Sequence, residues 1–328
     1  MTAAKAELIE DGGAAAADKE FFRSRPFLDA EGATHTLKIK SQHTQLLAPL
    51  KVREIPGTDY RDAVSPYGYP GLAVGGWGDS VWTLSRRRPV GVPPTPPALD
   101  PKVIDWSATG LVSVFIRHTL GPSPLSGATE RNVVQIADPA LPRKSRPSDR
   151  RQVRRNLEAG YVLELVPGPE TSVLQRAAFL AAYEQTMRRT GAAGHYFFGA
   201  GYFDHVLEAD RTWLVLATAP VGEVAAASIA AVSDGYLHYY LSGTDDSHLR
   251  SAPMKNVVTR LVEHAQELGL PLNLGGGIAP GDALEEFKRG FANRQQAWLT
   301  SELICDEGKY AELSAGRGAG GYFPAYRA

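Results

Sequence analysis

Apolar positions along this chain recur with two periods, and the stretch from Tyr236 to Phe291 shows both. Tyr236–Leu241 is rich in aromatic and apolar residues and lies between Asp234-Gly235 and Ser242-Gly243, which predicts a strand. Val257, Val258, Leu261, Val262, Ala265 and Leu268 then recur at helical spacing. Pro253 suits the first turn of that helix, Ser251 is expected to cap it, and Gly269 to close it. Leu270–Leu274 is a short apolar run ending in Gly275, Gly276 and Gly277. That is the pattern of a buried strand feeding a loop that needs unusual backbone angles or close approach. A short helix carrying Phe287 and Lys288 follows. Strand, helix, strand, glycine loop, helix predicts a right-handed crossover unit, and α/β sheets bind ligands at such strand ends.

The same patterns extend outward. Trp213–Thr218, Val224–Val232 and Tyr236–Leu241 predict an antiparallel run with turns at 220–222 and 234–235. Tyr161–Val166 reads as a strand, Val173–Arg189 as a helix with Val173, Ala177, Leu180 and Tyr183 on one face, and Phe197–Leu207 as a second helix. Further back, Thr34–Lys40, Leu46–Ile55, Leu111–Arg117 and Asn132–Ile136 read as strands, and Phe21–Leu28 as a short helix or anchoring turn. Residues 1–18, rich in Ala, Gly and Glu, are expected to be a disordered tail. Ser65–Gly71 is a stiff loop of proline, glycine and tyrosine. Its tyrosines, Tyr67 and Tyr69, are either packed plugs or a substrate-lining surface. Residues 89–101 are proline-rich and predict a connector.

Charge changes the picture in one place. The formal net charge of −1 provides no global field to gather nucleic acid, so any such contact needs a local patch. Residues 143–155 supply one: Arg143, Lys144, Arg146, Arg150, Arg151, Arg154 and Arg155, with Asp149 the only acid among them. From Ser148 onward this is expected to be helical, and it reads either as a solvated face or as a phosphate-binding surface. The single cysteine, Cys305, excludes an internal disulfide and lies in the apolar run Trp298–Cys305, where a buried small hydrophobe is expected. His195, His205, His248 and His264 have no shared metal spacing, and no metal site is expected. With neither a hydrophobic signal core nor an apolar run of membrane-spanning length, the expectation is a cytoplasmic chain that does not enter a membrane.

Taken in order, the helix Arg150–Leu157, the segment Tyr183–Arg189, the Tyr202-Phe203 helix, the strand His238–Thr244, Ala252-Pro253, Leu274–Gly277 and Phe287–Phe291 resemble the FemAB-like branch of the GNAT acyltransferase superfamily. The likeness covers about residues 132–300, and the Ser65–Gly71 loop is similar to one in the first half of many such proteins. The resemblance implies an α/β (α+β) fold of two GNAT-like lobes, each a mixed, mostly antiparallel sheet flanked by helices, with the first lobe abbreviated. The lobes are expected over residues 19–140 and 141–328. The implied activity is amide formation, by transfer of an aminoacyl group from aminoacyl-tRNA to an amine, in natural-product biosynthesis or cell-wall cross-bridge synthesis. An acyl-CoA donor and a non-catalytic GNAT-fold binding partner remain open alternatives.

Such a reaction starts from an activated ester. It needs alignment of the substrates, loss of an amine proton and stabilisation of an oxyanion, but no enzyme nucleophile and no cofactor. The resemblance makes Lys288 the leading catalytic residue, as a fixed cation near the developing oxyanion or the tRNA 3′ end. Phe287 either stacks on the donor's terminal adenosine or belongs to the core. Alternation places Tyr240 and Ser242 on one face of their strand and Tyr239 on the other, so that one tyrosine could orient the amine or donate to the carbonyl. Asp245 and its neighbour Asp246 either accept the amine proton or cap a turn. His238 reads as structural. Arg188 and Arg189 either bind an anionic acceptor or complement a helix C-terminus. Arg150, Arg151, Arg154 and Arg155 would contact the acceptor stem of tRNA. The segment Asp245–Pro253, where a CoA-using GNAT protein cradles pyrophosphate, has two acids, no glycine pair and a proline, which disfavours CoA.

Overall fold

The computed structural model describes residues 4–42, 44–75, 98–317 and 321–328. Most of the proline-rich connector, residues 89–97, lies outside the described residues. The chain divides into two compact units, Met1–Arg131 with Ala297–Ala328, and Asn132–Gln296.

In the first unit, β1 (Ala4–Ile9), α1 (Arg25–Glu31), β2 (His35–Lys40), β3 (Gln45–Glu54), β4 (Arg61–Val64), β5 (Ala73–Gly75), β6 (Ile104–Asp105) and β7 (Leu111–Arg117) are joined by most of β14 (Arg294–Ile304) and by α7 (Glu307–Ser314). The strand order is β6-β1-β2-β3-β4-β7-β14, with β5 also on β3. The tail expected over residues 1–18 is corrected: β1 pairs antiparallel with β2 from Lys5↔Lys40 to Ile9↔Thr36. Its Ala4 and Ala6 are buried while Lys5 and Glu7 are exposed, a period-two pattern that small alanines disguise. Leu37, Ile39, Leu46, Leu50, Val114 and Ile116 form the core. The C-terminus is tied to this core. Fully buried Asp62 holds Arg53 Nε at 2.9 Å and Arg327 Nη2 at 3.1 Å, and Tyr326 shares a 2.8 Å hydrogen bond with Ser113. Cys305 packs partly buried against the core, and burial raises its thiol pKa, which disfavours the thiolate.

The second unit contains most of β8 (Thr129–Ala137), then α2 (Pro147–Glu158), β9 (Val162–Pro167), α3 (Val173–Arg189), α4 (Ala200–Glu208), β10 (Thr212–Thr218), β11 (Val224–Ser233), β12 (Tyr236–Thr244), α5 (Met254–Leu268), β13 (Leu272–Gly275) and α6 (Ala283–Arg289). The strand order is β8-β13-β12-β11-β10-β9, and only β12 and β13 run parallel, joined through α5. Each unit is therefore a mixed, mostly antiparallel sheet flanked by helices.

α5 buries Val257, Val258, Leu261 and Ala265, and Gly269 ends it at φ 65°. Its N-cap is Pro253 rather than Ser251, because Ser251 closes a preceding 3₁₀ turn (Asp246–Ser251) and Ala252 reverses the chain at φ 45°. The predicted face of α3 is rotated. Val173 is 82% exposed, and the helix buries Phe179, Ala182 and Tyr183. Phe179 and Tyr183 stack on each other and both meet Phe203 of α4 edge-on, so aromatic packing sets the face.

Candidate active site

The glycine loop and Lys288 form one structure. Gly275 takes φ +76°, and a Cβ there would lie 3.2 Å from Lys288 Nζ. A Cβ on Gly276 would meet the Asn132 amide at 2.5 Å, and one on Gly277 would meet Asp282 at the same distance. The three glycines thus allow the backbone to pass between side chains that hold it. Asn132 donates to the Gly277 carbonyl at 3.1 Å. Asp282, the N-cap of α6, accepts from the backbone N–H of Ile278, Ala279 and Glu285.

Lys288 lies on the inner side of α6, 8% exposed, and donates to the Gly276 carbonyl at 2.6 Å. Among the described residues Nζ makes no other hydrogen bond, so two of the three ammonium donors are unengaged. Burial pushes its pKa down to about 8, against the opposing attraction of Asp282. A cation so placed would act through a poorly screened field on any negative charge developing beside it. Phe287 is partly buried in the core, edge-on to Phe291 at 5.5 Å.

β12 and β13 pair only at Leu237↔Leu272 and His238↔Asn273, although β12 continues to Thr244. The strands part where Tyr239, Tyr240 and Ser242 follow. The expected alternation fails here, because the β11–β12 register shifts between Ile229 and Ala230, where Tyr240 is the extra residue. This bulge brings Tyr239 and Ser242 together in a 2.6 Å hydrogen bond. Burial raises the Tyr239 pKa to about 12. Tyr240 is half-buried and shares a short hydrogen bond with Tyr202 of α4, whose ring stacks on Phe198 at 4.0 Å. Gly243 lets α3 cross β12 closely, since a Cβ there would lie 2.3 Å from Tyr183 N.

Asp245 is the cap of the 3₁₀ turn. It accepts from Ser247 N at 2.9 Å and from Gln185 Nε2 at 2.8 Å, and also from the Ser247 hydroxyl. The Ser247 hydroxyl contributes most to holding its pKa below the usual carboxylate range, which makes it a weak base. Arg189 binds Asp246 and the Thr244 carbonyl, tying the end of α3 to this turn, while Arg188 pairs with Glu184 one helical turn back.

The exposed face of α2 carries Arg150, Arg151, Arg154 and Arg155. None of the four has a carboxylate partner among the described residues. Arg150 reaches only the Ser145 carbonyl. The opposite face anchors the helix: Asn156 donates to the Ser251 carbonyl at 2.8 Å and to Asn256 at 2.7 Å, and buried Asp149 pairs with Lys255 at 2.9 Å.

In the first unit, Tyr69 sits edge-on to Phe22 and to Trp298, both at 5.4 Å, and acts as a packing plug. Tyr67 is half-buried, with its N–H donating to Glu31 at 2.9 Å. Among the described residues no cluster of His, Cys, Asp or Glu could hold a metal ion, and no helix is long and apolar enough to cross a membrane. The second unit brings together Lys288 and the glycine loop, and separately Tyr240 and Tyr202. Asn132, Asn273 and Asp282 belong to the candidate site without being singled out by the sequence pattern, and Tyr202 enters there only as part of the Tyr202-Phe203 helix. Only Asp282 carries a signal, as an acid before a short helix with Glu285 three residues later.

Residues 143–289 match a family model described as an acetyltransferase (GNAT) domain. The chain is similar in fold to the crystal structure of FemX, with a TM-score of 0.55 at 10% identity over 84% of this chain and 89% of that one. It is similar to the C-terminal domain of a putative lysylphosphatidylglycerol synthetase from Agrobacterium fabrum, with a TM-score of 0.54 at 12% identity over 91% and 92%. A third likeness is to L-PGS from Bacillus licheniformis, with a TM-score of 0.50 at 12% identity over 85% and 90%. No curated protein matches the chain in sequence. At these identities the structural likeness shows the fold.

Proposed function

We propose that this chain, a GNAT-fold protein of the FemAB-like kind with its GNAT domain over residues 143–289, forms an amide bond by transferring an aminoacyl group from aminoacyl-tRNA to an amine of a small molecule or peptide. The attacking nitrogen bonds to the ester carbonyl carbon, the bond to the ribose oxygen breaks, and the amine's proton passes to the leaving oxygen or to solvent. The Lys288 ammonium, with two donors unengaged, stabilises the oxyanion formed between those events. Tyr240, held by Tyr202, orients the amine or donates to the carbonyl. Asp245 is retained as a binding residue rather than a base, given its lowered pKa.

The observation that carries the choice of donor is the turn after β12. Its N–H groups face inward: Asp246 N to Gln185, Ser247 N to Asp245, His248 N to the Asp245 carbonyl. Two carboxylates stand where a CoA pyrophosphate would need donors, while unpaired arginines line α2 instead. The names of the fold neighbours, FemX and a lysylphosphatidylglycerol synthetase, support an aminoacyl reading. Among the described residues no long helical hairpin interrupts either unit, which favours a small natural-product acceptor, as in antibiotic biosynthesis, over a cell-wall precursor.

The test offers purified protein a pool of labelled aminoacyl-tRNAs, with and without RNase, beside acetyl-CoA and longer acyl-CoAs, with a small-molecule extract as acceptor. Label transfer that RNase abolishes is the expected result. RNase-insensitive transfer from an acyl-CoA would overturn the donor assignment, and the absence of any transfer would favour a non-catalytic binding protein.

A further inference from the structure

A chain of buried hydrogen bonds runs from the end of β11 through β12 to the glycine loop, and its two ends fix every donor in between. The amide N–H of Gly275 can only donate, and it donates to Asn273 Oδ1 at 2.8 Å. Asn273 must therefore present its NH₂ to His238 Nδ1, 3.1 Å away. That nitrogen must then be the acceptor, so the ring proton sits on Nε2, which lies 3.1 Å from the Ser233 carbonyl, an obligate acceptor. No other arrangement satisfies both ends. Both side chains are inaccessible, at 2% exposure for His238 and 1% for Asn273, and they face each other as the last parallel pair of β12 and β13. Burial pushes the His238 pKa down to about 4, against the opposing Ser233 hydrogen bond and Asp234, which keeps the ring neutral. One bond beyond this chain, the Gly276 carbonyl receives Lys288.

We propose that His238 and Asn273 are positioning residues for the acyl-transfer site: the neutral Nε2–H imidazole orients the Asn273 amide, which locks the Gly275 turn and so holds the Gly276 carbonyl against Lys288. The inference rests on the reading of Lys288 as the catalytic cation. Neither residue touches substrate. They act on the direction of the Lys288 ammonium and on the dryness of its surroundings, where Asp282 is the charged group facing it.

Asn273→Ala removes the partner of the Gly275 N–H, and that buried orphan is relieved by letting water into the loop. Water beside Nζ moves its pKa back toward the ordinary lysine value. The experiment is competitive labelling of the whole protein with trace isotopic acetic anhydride between pH 6 and 11, read by mass spectrometry at the peptide holding Lys288. It needs no substrate, so its outcome is separate from the donor test above. In Asn273→Ala the Lys288 titration is expected to rise by about half a unit or more. His238→Phe fills the same space without the acceptor and is expected to give a smaller rise, since Asn273 still reaches Gly275. It serves as the second variant if the first does not fold. In the transfer assay both variants should lower kcat with KM for the aminoacyl-tRNA donor within about twofold of wild type. A Lys288 titration unmoved in a folded Asn273→Ala protein overturns the proposal, as does a rise in KM alone.

Discussion

A buried lysine carries a cost that shows in stability. Lys288 titrates at about 8 in the folded chain and at 10.5 as an ordinary lysine. Below pH 8 both states hold the proton, and the penalty of the buried charge is complete. Between pH 8 and 10.5 the unfolded chain binds more protons than the folded one, so this group makes stability rise with pH there. Lys288→Met should therefore raise stability at pH 7 by roughly 1–3 kcal/mol and abolish that rise. Urea midpoints at pH 7 and pH 10 measure both. Asp62 illustrates the opposite case. It is fully buried between Arg53 and Arg327, so Asp62→Ala leaves cations unpaired and should cost about 3–5 kcal/mol, read as a lower urea midpoint.

At the scale of elements, the hydrophobic pattern was legible where period and punctuation agreed. α3 spans Val173–Arg189 and α5 stops at Gly269 as expected, because a regular period meets a clear terminator. It was illegible where tertiary contacts decide. The bulge at Tyr240 leaves no mark in the sequence, yet it reassigns Tyr239 and Ser242. The buried face of α3 follows its aromatic partners on α4 rather than its own apolar period. β1 was hidden because its fully buried residues are alanines. In the site, Lys288 was legible through its motif, but its burial and its carbonyl partner depend on a loop whose shape only the glycines hinted at. Gly243→Ala tests one such close approach: with Tyr183 N at 2.3 Å from the new Cβ, α3 must move off β12. Stability should fall by about 1–3 kcal/mol, measured by chemical denaturation.

At the scale of the whole molecule, a nearly neutral chain carries, on α2, a cationic helix face without carboxylate partners among the described residues. Under the proposed function this face receives phosphates of the tRNA acceptor stem. Replacing Arg150, Arg151, Arg154 and Arg155 with Ala should raise KM for aminoacyl-tRNA and flatten its dependence on salt, by roughly 0.7–0.9 in logarithmic slope for each phosphate left without its arginine. Because the four side chains are exposed and their helix is anchored through Asn156 and Asp149, the urea midpoint should hardly move. The measurement that tests the account most directly is single-turnover transfer from labelled aminoacyl-tRNA across pH, by the wild-type protein and by Lys288→Met. If the ammonium stabilises the oxyanion, the wild-type rate falls as pH rises through about 8. The variant should be slower by about 100-fold or more, with that limb gone. A variant within a few-fold of wild type, showing the same pH profile, would contradict the account.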